Sequence, residues 1–517
     1  MVKTSLPFVS IITVNFNGKF FLKFLFDSIK KLNYPQDKLE VIMVDNSSKD
    51  DSVAFVRKNY KFVEILFSDK NLGFAGGNNA AVKLAIGEYI AFINNDCSVD
   101  SDWLISMVNL LQQKEKENIK TGGVGSRVLF YFKYLPLKIV FENSNELNED
   151  LNKDFNNDEN KIISPDFWGI IRQLSIRENT DENKLKNENN GAFENSEIRN
   201  NEIQNLISFA NKSFKYLNGF YDTGKDSDGK LIRKIRKKAL VGIPVTDKDK
   251  DIILEIEFSF LKDGTCLKLF IEDEEIASVN NIRSNIDNDF KINDKAILIK
   301  IPKEKFKYSK DIINSCGSMI NKSFYAKEIG YESFNEQFNK NLNKSNNAGS
   351  FEVFALPGSS FIVKKELINE IGLFDEKFFT YYEDIDFFWR ARLNGWRFFA
   401  EPESVARHFH CGSGEEWSYS FTYHVLRNRL LMIYKCGWPM AFLKNYLSFC
   451  ASAFINLVYF IVAKIRRKKL ERIDIKIRIR IFFEFFILMI FYLVKRIKIR
   501  TKAKISDLEI KKWQTDF

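Results

Sequence analysis

Three acids fall within four positions in FFTYYEDIDFFWRARLNGWRFF, residues 378–399: Glu383, Asp384 and Asp386. They stand among Phe, Tyr and Trp residues that belong in a core, and a carboxylate is costly to bury unless it is paired or hydrogen-bonded. A helix starting near Tyr382 resolves part of the conflict. Its first turn would hold all three acids, where the macrodipole favours negative charge. Asp386 and Arg390, four apart, would pair on one face. A carboxylate is then left to face a cleft, and a general base needs that placement. Reading the acids only as a helix cap explains Asp386 and Arg390 but leaves Glu383 and Asp384 without a task.

Other candidates stand where apolar runs stop. Phe8–Phe16, Leu39–Asp45, Val63–Ser68 and Tyr89–Asn94 are short runs rich in β-branched and aromatic residues. Amphipathic stretches lie between and after them, at Phe20–Leu32, Asp50–Lys58, Asn78–Ile86 and Trp103–Lys114. Apolar strands separated by helices predict a mostly parallel sheet covered on both faces. Ligands bind such sheets beyond the carboxyl ends of the strands. Three ends here are polar: Asn15-Phe16-Asn17-Gly18, Asp45-Asn46-Ser47-Ser48 and Asn94-Asn95-Asp96. Asn15 and Asp45 would also serve as caps for the helices that follow, and Asp96 as a cap for the helix near Asp100. Two of the three histidines sit in VARHFHCGSG, at 408 and 410, two positions apart.

Composition bounds the rest. A chain of 517 residues suggests two or three domains, and six cysteines without a CxxC pair fit a reducing compartment. The N-terminal run FVSIITVNFNG reads as a buried strand and not as a signal peptide, which places the catalytic part in the cytosol. From Lys464 to Lys504 the 15 Lys and Arg outnumber three acids. That segment carries +12 against +10 for the whole chain, so the remainder is at −2. Interleaved Ile and Phe make this tail a candidate for an anionic membrane surface, not for nucleic acid.

Four regions follow. Residues 1–133 form the first part of the sheet domain. Residues 134–311 form an insert, polar and Asn/Glu-rich at 142–215 and then β-patterned from 239 to 302, where Leu254, Ile256, Phe258 and Phe260 alternate with polar residues before an Asp263-Gly264 turn. The host pattern resumes over 312–435. Residues 436–517 make a basic, apolar helical tail whose runs, Leu447–Ala463 and Ile481–Val494, are at or below spanning length. An ordinary pair of core helices is the competing reading of that tail.

In order along the chain, SIITVNFNG, VDNSSKDDS, KNLGFAGGNN, YIAFINNDCSVDSDWL, EDIDFFWRARLNGW and HFHCGS followed by RNRLLMIYK resemble the inverting glycosyltransferases of family 2, and most closely their rhamnosyltransferase-like members. The resemblance covers about 1–130 and 312–435. It implies a GT-A fold and transfer of a sugar from a nucleotide-sugar donor to a glycan or lipid-linked acceptor in cell-surface polysaccharide synthesis, at the cytoplasmic face of the membrane. It puts Asn15, Asp45, Gly73, Gly76, Asn78 and Asn95 beside the donor. It makes Asp96 and His410, with His408 as the alternative, ligands of Mg2+ or Mn2+. Asn94 replaces the first acid of the family's metal motif. The resemblance also makes Asp384 the base, with Glu383 orienting the acceptor, and puts Gly358 and Ser359 on the acceptor side, with Trp389 and Arg427 as candidates there. The sugar, a hexose or rhamnose, is left open. The competing function is a non-catalytic glycan-binding or assembly protein on the same fold.

Overall fold

The computed structural model describes residues 6–143, 169–178, 206–208, 210–220, 224–225, 231–261, 265–279, 292–293, 296–344, 349–410, 418–465 and 473–517. Its contacts divide the chain into two units, residues 1–131 with 313–517 and residues 132–312.

The first unit begins as alternating strands and helices: β1 (Val9–Asn15), α1 (Lys19–Ile29), β2 (Leu39–Asp45), α2 (Ser52–Asn59), β3 (Val63–Phe67), α3 (Gly73–Val82), β4 (Tyr89–Ile93), β5 (Cys97–Val99), α4 (Trp103–Lys116) and β6 (Thr121–Phe130). After the second unit it continues through β7 (Ile313–Ser315), β8 (Phe351–Glu352), β9 (Ser360–Lys364), α5 (Lys365–Ile371), α6 (Glu383–Leu393), β10 (Arg397–His408), α7 (Tyr419–Cys436), α8 (Pro439–Ile465) and α9 (Ile473–Lys502). The sheet runs β8-β10-β6-β9-β4-β1-β2-β3, with β7 on β6 and β5 on β10. Strands β3, β2, β1 and β4 are parallel, β9 is antiparallel to both β4 and β6, and β10 is parallel to β6. This is a GT-A-like fold.

Alternation along β1 sorts the core. Val9 and Ile11 pack into a layer with Phe26 of α1, Val56 of α2 and Leu104 of α4, while Ile12 faces Ala75 of α3, Phe387 of α6 and Leu431 of α7. Burying both faces accounts for the apolar runs. One boundary differs from the sequence reading. The Gly-rich stretch is the first turns of α3 itself, which starts at Gly73 and not at Asn78. A Cβ on Gly77 would lie 2.8 Å from Val14 Cγ1, so the glycines that resemble a loop serve close helix-on-strand packing.

The second unit is an antiparallel sheet. Its strands begin at Lys133 and include Gly169–Glu178, inside the stretch read as polar insert. Ile252, Leu254, Ile256 and Phe258 are buried and the residues between them are not, as their spacing predicts. The Asp263-Gly264 turn lies outside the described residues.

Helix α8 contains the one stretch among the described residues long and apolar enough to cross a membrane, 24 residues from Pro439 to Val462. Phe454, Ile455 and Tyr459 on α8 and Phe483, Ile487, Ile490, Phe491 and Val494 on α9 are exposed. The tail is not wholly separate from the host, however. Ile477, Ile481, Phe485 and Tyr492 of α9 join the host core, and Gln514–Thr515 pairs in parallel with Ser318–Asn321.

Candidate active site

Parallel register brings the first two polar strand ends together, since Asn15 lies opposite Asp45. Asn15 Oδ1 accepts from Asn95 Nδ2 at 2.9 Å, and its own amide donates to Ser48 Oγ at 3.1 Å. The side-chain amides therefore link the ends of β1, β2 and β4. Gly18 completes this floor, because a Cβ there would come within 2.2 Å of Asn95 Nδ2. Asp45 is buried. One carboxylate oxygen takes the Ser48 N–H at 3.3 Å, and the other, Oδ1, has no partner among the described residues. A buried, unpaired carboxylate oxygen at a strand end calls for a hydrogen-bond donor from a ligand.

Gly73 and Asn78 have other uses. Gly73 has φ 70°, and a Cβ on it would lie 2.4 Å from the Phe379 carbonyl oxygen, so glycine is needed where the segment before the acids crosses α3. Gly76 is tight against Leu72. Asn78 spends its amide on Phe74 O in its own helix, at 2.9 Å. Asn46 ties β2 to this helix, donating to Gly73 O at 2.9 Å and accepting from Leu72 N at 3.2 Å.

The third strand end meets a histidine. His408 Nε2 lies 3.1 Å from Asp96 Oδ1, and its Nδ1 lies 3.0 Å from Asn314 Oδ1. His410 was expected there. It instead follows β10 with φ 59°, sits 3.4 Å from the Asn314 amide nitrogen through Nδ1, and packs edge-on to Phe130. Strand pairing explains the correction, because His408 is the last residue of β10 and is paired with Cys97, next to Asp96. If Nδ1 donates to Asn314, Nε2 presents a lone pair to a carboxylate oxygen. Two acceptors at that distance need a proton or a cation between them. Asp96 and His408 thus fit a divalent ion. Cys97 also lies in this cluster, but burial raises its thiol pKa well above the ordinary value, and a protonated sulfur is a poor ligand for a hard ion. Gly412 and Ser413 lie outside the described residues.

Helix α6 starts at Glu383 and its first turn carries the three acids. Asp386 is fully buried and paired with Arg390 at 2.8 Å; Lys435 Nζ lies 2.8 Å from Asp386 and 2.9 Å from Asp375. Asp386 is therefore structural. Asp384 Oδ2 sits over Gly358, where a Cβ would come within 2.6 Å of it. The next residue, Ser359, accepts the Asn94 N–H at 2.9 Å. Through this Gly358-Ser359 turn, Asp384 and the Asn94–Asp96 segment are neighbours in one unit. Burial raises the Asp384 carboxyl to about 6, against the lowering pull of the Ile385 N–H 2.7 Å away, and the Asp386 charge adds to the rise. Glu383 is buried, its Oε2 has no partner among the described residues, and burial and the Asp384 charge raise its pKa.

A fourth acid escaped the sequence reading. Glu328 accepts from Ser315 Oγ and, at 3.1 Å, from Ser318 Oγ. Burial raises its pKa to about 7; the serines pull it back, the Asp384 charge adds to the rise, and His408 lowers it slightly. Nothing in the local stretch AKEIG marks it. Only the pairing of Ser318–Asn321 with Ala326–Glu328 brings it to the site. Two acceptor-side expectations are corrected. Trp389 is fully buried and stacks on Phe324 with ring centroids 5.0 Å apart, because it lies on the core face of α6. Arg427 is occupied by Glu484 Oε1 at 3.0 Å and Lys377 O at 2.9 Å, not presented to solvent as a phosphate contact.

Residues 10–177 match the family model described as glycosyl transferase family 2. The chain is 32% identical over 104 residues to glycosyltransferase AglE of Haloferax volcanii, covering 20% of this chain and 34% of that protein. It is 28% identical over 125 residues to a poly(ribitol-phosphate) beta-glucosyltransferase of Bacillus spizizenii, 23% and 20% of the two chains. It is 31% identical over 131 residues to a beta-monoglucosyldiacylglycerol synthase of Nostoc sp., 24% and 27% of the two. The chain spans about a third or less of the length of these curated relatives.

Proposed function

We propose that this chain, a member of glycosyl transferase family 2, moves one sugar from a nucleotide-sugar donor to a glycan or lipid-linked acceptor of the cell envelope, with inversion at the anomeric carbon. The observation that carries the reading is the Asp384 carboxyl over Gly358, beside the turn that fixes Asn94–Asp96. In this mechanism the Asp45 oxygen without a partner accepts from an N–H or O–H of the donor nucleoside. The linked amides of Asn15 and Asn95 form the floor beneath it. Asp96 and His408 would hold Mg2+ or Mn2+, which when bound neutralises the departing diphosphate, so the protein need not supply an acid there. Asp384 takes the proton of the acceptor hydroxyl as its oxygen attacks from the face opposite the diphosphate. Glu383 Oε2 accepts a second acceptor hydroxyl and fixes its orientation.

The tail supports a membrane-side setting. The exposed apolar faces of α8 and α9 are bordered by Lys and Arg, the pattern of helices lying at an anionic lipid surface, here at the cytoplasmic face. Two of the matched relatives are named for polymer or lipid products, which supports an acceptor of that kind. Whether the sugar is a hexose or rhamnose is a question for the donor screen. The full chain would be incubated with a panel of nucleotide sugars and Mg2+ or Mn2+, with extracted membrane glycolipids as acceptors. Nucleoside diphosphate release with one donor and a product of inverted configuration by NMR is the expected result. No release from any donor with either ion would defeat the reading in favour of a binding protein.

A further inference from the structure

The five residues before the acids are held in an unusual shape. Phe379, Tyr381 and Tyr382 all have φ between 66° and 67°, in the left-handed region that non-glycine residues rarely adopt. Such a backbone persists only where its surroundings determine it. Here every carbonyl from 377 to 381 has a named partner. Arg427 Nη1 donates to Lys377 O at 2.9 Å. The Asn428 amide nitrogen lies 2.9 Å from Phe378 O, 2.9 Å from Thr380 O and 2.8 Å from Tyr381 O. The remaining one, Phe379 O, accepts from Ala75 N of α3 at 3.1 Å. Tyr382 O then accepts the Asp386 N–H and opens α6.

The clamp has a second tier. Asn428 is fully buried, and its Oδ1 accepts from Arg427 Nη1 at 2.8 Å, which fixes the amide with its N–H groups toward the segment. Arg427 is in turn held by Glu484 of α9 at 3.0 Å, and Glu484 also accepts from Tyr423 Oη. Glu484 is the acid that interrupts the apolar run IFFEFFILMIFYLV. Its place is explained by this contact and not by the tail's own surface.

We propose that Asn428 is a positioning residue, backed by Arg427 and by Glu484 of the tail helix, that holds residues 377–382 in their strained course and so aims Asp384 at the acceptor hydroxyl. The inference rests on Asp384 being the base. It makes α9 part of the catalytic unit as well as a membrane contact. The carbonyls are bonded by α7 and α3, and the segment ends with Asp384 over Gly358. The same segment presses Phe379 on Gly73, so α3 and the acids share one support.

The test uses the full chain with Asn428→Asp, an isostere that loses both N–H donors, and Glu484→Gln, which keeps shape and removes charge. Hydrogen exchange read by mass spectrometry should rise about tenfold or more over 378–384 in Asn428→Asp, and about threefold in Glu484→Gln, with residues 9–15 and 39–45 unchanged. Turnover should fall about 100-fold in Asn428→Asp with donor KM within about threefold, since misaimed chemistry costs rate and the donor groups sit on other strands. Should Asn428→Asp fail to fold, Glu484→Gln and Arg427→Lys carry the test. Unchanged exchange over 378–384, a uniform rise across the chain, or a loosened segment with full turnover would each overturn the proposal. A wild-type protein inactive on every donor would defeat the base assignment instead, and the exchange result would still decide whether the clamp exists.

Discussion

The part of the candidate site proposed for the donor, on β1 to β4, and the part proposed for the acceptor, from β7 to α7, hold their groups by different means. In the first part, Asn15, Asp45 and Asn95 stand at or just past the ends of strands buried on both faces, where parallel register sets Asn15 opposite Asp45 and one amide bond joins Asn15 to Asn95. In the second part, Asp384 follows a strained segment fixed by side-chain bonds and by the buried charges of Asp375, Asp386, Arg390 and Lys435. A sheet edge tolerates side-chain change; a segment pinned by buried polar contacts does not.

That contrast predicts how each half breaks. Asp384→Asn should lower turnover by about 10²–10⁴-fold, the contribution of a positioned base, with nucleoside diphosphate binding retained; steady-state kinetics and calorimetry read the two separately. Lys435→Met should destabilise the protein by about 1–3 kcal/mol, because Asp375 and Asp386 lose the cation they share and keep only Lys495 and Arg390; chemical denaturation checks it. No single polar change on β1 or β2 should match that figure. His408→Ala should weaken Mn2+ binding by about 10–100-fold, whereas His410→Ala should change it by less than about threefold, as titration of the bound ion would report. The smallest effect belongs to Asp45→Asn, about tenfold on donor KM with turnover nearly unchanged, the cost of one charge-assisted hydrogen bond.

The same contrast explains what could be read from residues alone. Strand and helix positions in the first 130 residues follow from periodicity, and so do the polar ends, because register there is dictated by which residues are apolar. The pairing of Asp386 with Arg390 follows from a spacing of four. His408 and His410 could not be told apart by spacing, since residues two apart on an extended segment share a face. The pairing of β10 with β5 decides it. Trp389 stood as an acceptor-side candidate because nothing local shows which face of α6 meets Phe324. Asn314, Asn428 and Glu484 depend on contacts between residues 47 to 94 apart, beyond the reach of any local pattern. Glu328 is held within its own hairpin, and only the fold brings that hairpin near Asp384.

The pH dependence of kcat/KM tests the central claim most directly. Burial makes the Asp384 carboxyl hold its proton up to about 6, so the active base is lost earlier on acidification than an exposed aspartate would be. The wild-type rate should fall about tenfold per pH unit below that value and level off above it, and the residual rate of Asp384→Asn should be flat across the same range. A wild-type profile flat from about pH 5 to 8, or an acid limb that survives in Asp384→Asn, would contradict the assignment of Asp384 as the base.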